Sequence, residues 1–120
     1  MDITQKIEAL KARPDFVDKV GMILVHNGVV RSWSRKDKAN VTALEVSPDH
    51  EKIAALREEY LQHEGIFEII VEAQQGILRP GDDLLYIVVA GDIREHVKPV
   101  LADLLERIKA EAVVKREISA

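Results

Sequence analysis

Basic residues recur where the segments of this 120-residue chain begin or end. Arg31 closes an early apolar run, and Arg35, Lys36 and Lys38 follow in the polar stretch SRKDKAN, residues 34–40. Arg94 opens a long amphipathic segment, where a helix N-terminus already favours anions. Lys109 lies in the last turns of that segment, and Lys115 with Arg116 lies in the closing stretch AEAVVKREISA, residues 110–120. Guanidinium groups bind phosphate and carboxylate as a fork, and a lysine beside such anions can hold them and exchange a proton. If the segment ends gather on one side, these residues form a cationic pocket. If they do not, they are ordinary solvated charges.

Other chemistries find less support. His26, His50, His63 and His96 show no metal-ligand spacing with one another or with carboxylates, so each is expected at the surface or at a cap. There is no GxSxG elbow, no GxGxxG and no P-loop. Asp82 and Asp83 of RPGDD, residues 79–83, could be taken for a carboxylate pair. They read better as a Pro80-Gly81 turn feeding a strand.

The elements that must position the basic residues follow from periodicity. Ile3, Ile7 and Leu10 have helical spacing, and Pro14 ends the pattern. VDKVGMILVHNGVVRSW, residues 17–33, reads as one long strand or two joined at Asn27-Gly28, a pair suited to a turn or bulge. SRKDKAN is expected to be a mobile loop, and VTALEV, 41–46, a strand. Ser47 or Asp49 can cap a helix running to about Glu64, with Gly65 as its stop. IFEIIVEA, 66–73, is a strand, and residues 74–83 form a connection. LLYIVVAG, 84–91, is apolar almost throughout and so predicts a central strand covered on both faces. After Asp92 a helix runs to about Ala112, with Pro99 awkward within it, and VVKREI is the last strand. The 74–83 connection is too short for a parallel crossover. The fold class predicted is α+β, with a mixed or antiparallel sheet and helices packed on it.

Bulk properties narrow the partners. The net charge of −4 argues against nucleic acid. The chain has no cysteine, which removes disulfides, thiolate metal sites and any sulfur carried covalently on it. No run approaches the roughly 20 apolar residues of a membrane span, and MDITQKIEALKARPD lacks a signal-peptide h-region. A single cytoplasmic domain over residues 1–120 is expected, with no membrane association.

GMILVHNGVVRSWSR, then GIL-RPGDDLLYIVVAGDIREH, then the helix and VVKRE, resemble in order the large, catalytic subunit of molybdopterin synthase, over roughly residues 18–118. That resemblance implies an α/β hammerhead fold, a homodimer, and a heterotetramer with a small ubiquitin-like sulfur carrier. The carrier's C-terminal Gly-Gly thiocarboxylate would enter the active site and convert cyclic pyranopterin monophosphate into the molybdopterin dithiolene, with no resident cofactor or metal. It implies catalysis by Lys115, the lysine of the family's Lys-Arg-Glu strand. It also implies substrate binding by Arg31 of Gly-x-Val-Arg and by Arg94 before the long helix; Arg35 and Arg116 are further substrate-binding candidates. The family's second lysine falls by spacing on Ile108, so the adjacent Lys109 is the candidate if the turn is one residue shorter. The chain departs from the family pattern at Ala73-Gln74-Gln75, at Ile93 and at Ala112-Val113-Val114, and family chains tend to run on past the closing strand.

Two functions therefore stand side by side: a molybdopterin synthase catalytic subunit, and a non-catalytic binding or regulatory module on the same fold. The two are told apart by whether Lys109 and Lys115 point into one pocket with Arg31 and Arg94; a Lys109 facing solvent, or a pocket plugged by Ile93 and Val114, would favour the module. As an ordinary edge strand, VVKREI needs its charges only to blunt aggregation. As a catalytic strand it places Lys115 in a cleft and Arg116 on the opposite face.

Overall fold

In the computed structural model, which describes residues 2–119, cap residues and apolar alternation divide the chain into ten elements. The Asp2 carboxylate accepts from the N–H groups of Thr4 and Gln5 and starts α1 (Ile3–Lys11). The apolar run after Pro14 does not begin as a strand. Phe16–Lys19 form one helical turn, α2, which leaves Val17 84% exposed. The strand proper is β1 (Met22–Val29), and it passes straight through Asn27-Gly28. That pair makes a bulge rather than a turn, since the pairing register shifts between Gly28 and Val29.

SRKDKAN is closed by hydrogen bonds rather than open. Trp33 and Asn40 form an isolated antiparallel bridge. Ser34 N–H donates to the Ala39 carbonyl at 2.8 Å, and Lys38 N–H donates to the Ser34 carbonyl at 2.8 Å. The Asp37 carboxylate accepts from Ala39 N–H at 2.9 Å. Beyond it, β2 (Ala43–Pro48) leads to α3 (His50–Leu61), which is capped by the Asp49 carboxylate accepting from Lys52 N–H. Gly65 follows with φ +78°, and a Cβ at that position would collide with the side chains of Asp92 and His96. Next come β3 (Ile66–Ala73), β4 (Gly76–Leu78) and β5 (Asp83–Gly91). The chain closes with α4 (Arg94–Glu111) and β6 (Val113–Ile118). Pro99 lies in the second turn of α4, where its missing N–H leaves only the Glu95 carbonyl without a helical donor.

The strands form two antiparallel three-stranded sheets, ordered β1-β5-β3 and β4-β2-β6. The sequence suggested one sheet. The difference comes from β4, whose three residues pair with β2 as Leu44↔Leu78, Glu45↔Ile77 and Val46↔Gly76. So short a strand has no alternation to read, and only its tertiary pairing reveals it.

β5 is the central strand of the larger sheet and is buried from Leu85 to Gly91. Leu85, Ile87 and Val89 pack with Ile53, Leu56, Leu104 and Ile108 of the two long helices. By alternation Tyr86, Val88 and Ala90 are buried on the opposite face. The smaller sheet has its own core of Val30, Leu44 and Val46, with Leu78, Leu84 and Val113 beside it. Leu84 and Val113 touch both cores and lie at the seam. No helix among the described residues is long and apolar enough to cross a membrane.

An ion pair secures the start of α4. Ile93 offers no side-chain cap; instead the Asp92 carboxylate accepts from Ile93 N–H at 2.6 Å and meets His96 Nδ1 at 2.8 Å. The hydrogen bond to Asp92 holds His96 above its ordinary 6.5, and the same bond holds Asp92 below its ordinary 3.8. The stabilisation from His96 is complete below pH 6.5 and is lost as pH rises through the raised folded value. The share from Asp92 is present above pH 3.8 and is lost as pH falls through its lowered folded value. Between about pH 5.5 and pH 8, His96→Gln is expected to show a smaller fall in Tm than the wild type, measured by thermal unfolding. Equal falls would show that the pair adds nothing.

Candidate functional site

Two elements that end close together supply the lysines. Ile108 is fully buried and anchors the last full turn of α4, so the next residue, Lys109, emerges beside the core rather than within it. Ala112, 3% exposed, ends the helix, and β6 starts at once. β6 pairs with β2 in the register Lys115↔Val46 and Glu117↔Leu44. Val46 and Leu44 are core residues of the smaller sheet, so Val113, Lys115 and Glu117 lie on the inward face. Arg116 takes the outward face, where its Nε lies 3.2 Å from Glu45. Val114 is likewise outward and 72% exposed.

These residues border a cleft of about 540 Å³ at the seam between the two sheets. Its polar lining is His26, Arg31, Lys109, Lys115 and Glu117, against apolar walls that include Val30, Leu44 and Val46. The volume suits a small organic ligand. Among the described residues, Arg31, Arg35, Lys109 and Lys115 form no ion pair, whereas Arg13, Arg57, Arg107 and Arg116 each hold a carboxylate. Burial, then Lys109 and Arg31, push the Lys115 ammonium below its ordinary 10.5; Glu117 opposes the shift, and Arg35 adds to it. Arg31, Lys109 and Lys115 outnumber the one carboxylate of the lining, Glu117, so the cleft keeps a net positive charge that suits an anion.

The sequence candidates separate cleanly. Lys109, Lys115 and Arg31 line the cleft, and Arg35 is near enough for its charge to act on Lys115. Arg116 faces the other way. Arg94 is not brought to the cleft of its own chain. It is 76% exposed, sits 3.5 Å from Glu95, and opens the far end of α4. The helical rise puts its backbone roughly 22 Å from that of Lys109. Reading it as a pocket residue assumed that basic helix ends meet, but the two ends of one long helix cannot. Ile93, 49% exposed, lies at that same far end.

His26, expected at the surface or a cap, belongs instead to the cleft. Alternation along β1 from Leu24, which packs on the main core, puts His26 and Gly28 on the side facing α4. That alternation was visible in the sequence; the missing information was which element lay opposite. A Cβ at Gly28 would stand 3.2 Å from His26 Nε2, so the bare glycine leaves room for the ring. Burial, reinforced by Lys109, holds the imidazole below 6.5 and so uncharged at neutral pH. The Asp82 carboxylate accepts from Arg79 N–H at 2.7 Å, and Asp83 accepts from the Tyr86 hydroxyl at 2.5 Å. Both carboxylates of RPGDD are thus engaged in turn and strand structure.

Because burial, with Lys109 and Arg31 adding to it, lowers the Lys115 pKa, Lys115 should be unusually reactive toward an amine-selective acylating reagent near pH 8. Lys109→Met should slow its labelling, as followed by peptide mass spectrometry. Labelling indifferent to Lys109 would remove the coupling.

Comparison with known proteins bears on this arrangement. The family model described as "MoaE protein" matches residues 1–111. Molybdopterin synthase from Staphylococcus aureus superposes with a TM-score of 0.81 at 21% identity, covering 100% of this chain and 86% of that one. Molybdopterin cofactor biosynthesis protein E from Burkholderia multivorans gives 0.76 at 21% identity, covering 100% and 82%. A complex of subunits 1 and 2 of molybdopterin-converting factor from Helicobacter pylori gives 0.71 at 18% identity, covering 98% and 78%. At these identities the structures establish a common fold. No curated protein matches the sequence.

Proposed function

The chain belongs to the MoaE protein family, and on that premise we propose that it is the catalytic subunit of a molybdopterin synthase acting in molybdenum cofactor biosynthesis. It would transfer sulfur from the C-terminal thiocarboxylate of a small ubiquitin-like carrier to cyclic pyranopterin monophosphate. The observation that carries this reading is the convergence of Lys109, Lys115 and Arg31 on one cleft with no carboxylate paired to any of them among the described residues.

The chemistry explains why such a cluster is needed. A thiocarboxylate and a phosphate are both anions, and driving them together in a partly desolvated cleft is opposed by their repulsion. Uncompensated cations already in place offset that repulsion without reorganising during the reaction. Arg31 suits the phosphate, because a guanidinium fork matches two of its oxygens. Lys115 suits the reacting end. Its lowered pKa eases proton release, and an arriving anion raises that pKa again and restores the charge. The uncharged imidazole of His26 is a proton acceptor within the same cleft.

A homodimer, and its pairing with two carriers into a heterotetramer, is part of this proposal. A complex of the two converting-factor subunits exists for the H. pylori proteins, which supports a small-subunit partner. The non-catalytic module is less well supported. Lys109 lines the cleft, while Val114 lies on the outer face of β6 and Ile93 at the opposite end of α4, so neither plugs it.

Reconstitution with a thiocarboxylated carrier and cyclic pyranopterin monophosphate, following dithiolene formation, tests the assignment. Lys115→Ala is expected to lower turnover by about 10²-fold or more with little change in Tm, because the side chain lies outside both cores. A folded Lys115→Ala protein with full turnover would refute the catalytic role.

A further inference from the structure

Arg31 leaves β1 just past the bulge and reaches the cleft with no carboxylate to steady it among the described residues. An indole steadies it instead. The guanidinium carbon lies 4.8 Å from the centre of the Trp33 ring, and Lys38 Nζ lies 4.5 Å from the same centre. The difference matters for function. A carboxylate would fix Arg31 but cancel its charge, whereas the face of an aromatic ring attracts a cation and leaves its hydrogen-bond donors free.

The surrounding turn is built to hold this stack. Trp33 is bridged to Asn40, and the backbone between them is closed by the Ser34–Ala39 and Ser34–Lys38 hydrogen bonds. Within it Lys38 has φ +62°, the only positive φ at a non-glycine among the described residues. A lysine there is disfavoured relative to glycine, and such strain persists where the surroundings impose it, often at ligand sites. The Asp37 carboxylate, the one acid in the turn, is occupied with Ala39 N–H. Trp33 itself remains 40% exposed.

We propose that Trp33 is a positioning residue that presents Arg31 and Lys38 together as uncompensated cations, forming a phosphate-binding lip at the mouth of the cleft. The guanidinium supplies a planar fork and the ammonium a point charge, a combination that fits the several oxygens of one phosphate group. Arg35 and Lys36, in the same turn, add to the local positive potential. The identity of the phosphate ligand rests on the synthase reading, but the binding of phosphate does not.

Trp33 is the only tryptophan, so its indole N–H gives a single, assignable signal in an NMR titration with inorganic phosphate. The Arg31 Nε–H signal serves for variants that lack the indole. Trp33→Ala is expected to weaken phosphate binding about two- to fivefold, with Trp33→Phe recovering most of the loss. Lys38→Gly should weaken binding similarly without lowering Tm, because glycine adopts the positive φ freely. Phosphate affinity unchanged in Trp33→Ala or in Lys38→Gly would overturn the proposal. Turnover distinguishes the two ideas. A wild type that binds phosphate with these dependences yet forms no dithiolene removes the synthase assignment and leaves the lip standing. Normal turnover, with phosphate affinity indifferent to Trp33, overturns the lip alone.

Discussion

The geometry of the cleft depends on a single junction. At Ala112 the last helix turns into the last strand, and both its backbone groups are committed: its N–H donates to the Ile108 carbonyl at 2.9 Å, and its carbonyl accepts from Asp49 N–H at 2.7 Å. The side chains on either side are packed, Ile108 into the main core and Val113 against both cores. With those anchors fixed, Lys109 on the last helical turns and Lys115 on the strand have little freedom but to face one space. Asp49 also caps α3 with its side chain, so the start of one helix and the end of another are tied together through one residue. A family pattern with a longer turn would place a lysine at 108. Here that position belongs to the core, and the neighbouring residue takes the outward direction.

Charge is distributed with the same economy. The chain carries a net charge of −4, yet its cleft is cationic, because most acids are spent elsewhere. Glu68 holds both Arg13 and Arg57, Glu59 and Glu111 hold Arg107, and Glu45 holds Arg116. Exposed pairs of this kind contribute little to stability individually. Their effect on the potential is larger, since they neutralise many of the outer cations while those of the cleft stay without an ion pair. Arg31 is the clearest case, being steadied by an aromatic face rather than by an acid.

Much of this was legible in the sequence, and the failures have physical causes. The limits of β3 and β6 are those the residues indicated, because Gly65 precedes the one and the end of a helix precedes the other. The central place of β5 followed from its unbroken apolar run. β4 was hidden because three residues carry no period. Residues 17–19 looked like the start of a strand because they open a valine-rich run, but they have no partner strand and lie in the helical turn Phe16–Lys19. For the site, residue type and element end were enough to nominate Lys109, Lys115 and Arg31. They did not show that Arg94 lies at the far end of α4 from the cleft of its own chain, because which end of a helix meets which sheet is a tertiary fact. They also passed over His26, whose role depends on facing Lys109 across a gap that no local spacing encodes.

The bulge between Gly28 and Val29 has a wider consequence. Before it, β1 contributes Leu24 to the main core; after it, the same backbone contributes Val30 to the smaller one. One short stretch of chain, the strand and the residue that follows it, therefore joins two hydrophobic cores of unequal size, with the cleft at the seam. Segments with smaller cores open first in native-state fluctuations. When the small sheet opens, Lys115 and Glu117 go with it, while Lys109 and His26 stay on the larger body. Because its lysines are divided between the two bodies, the cleft exists only while the small sheet is closed on the larger one, so an opening that spares the main core would still dismantle the site.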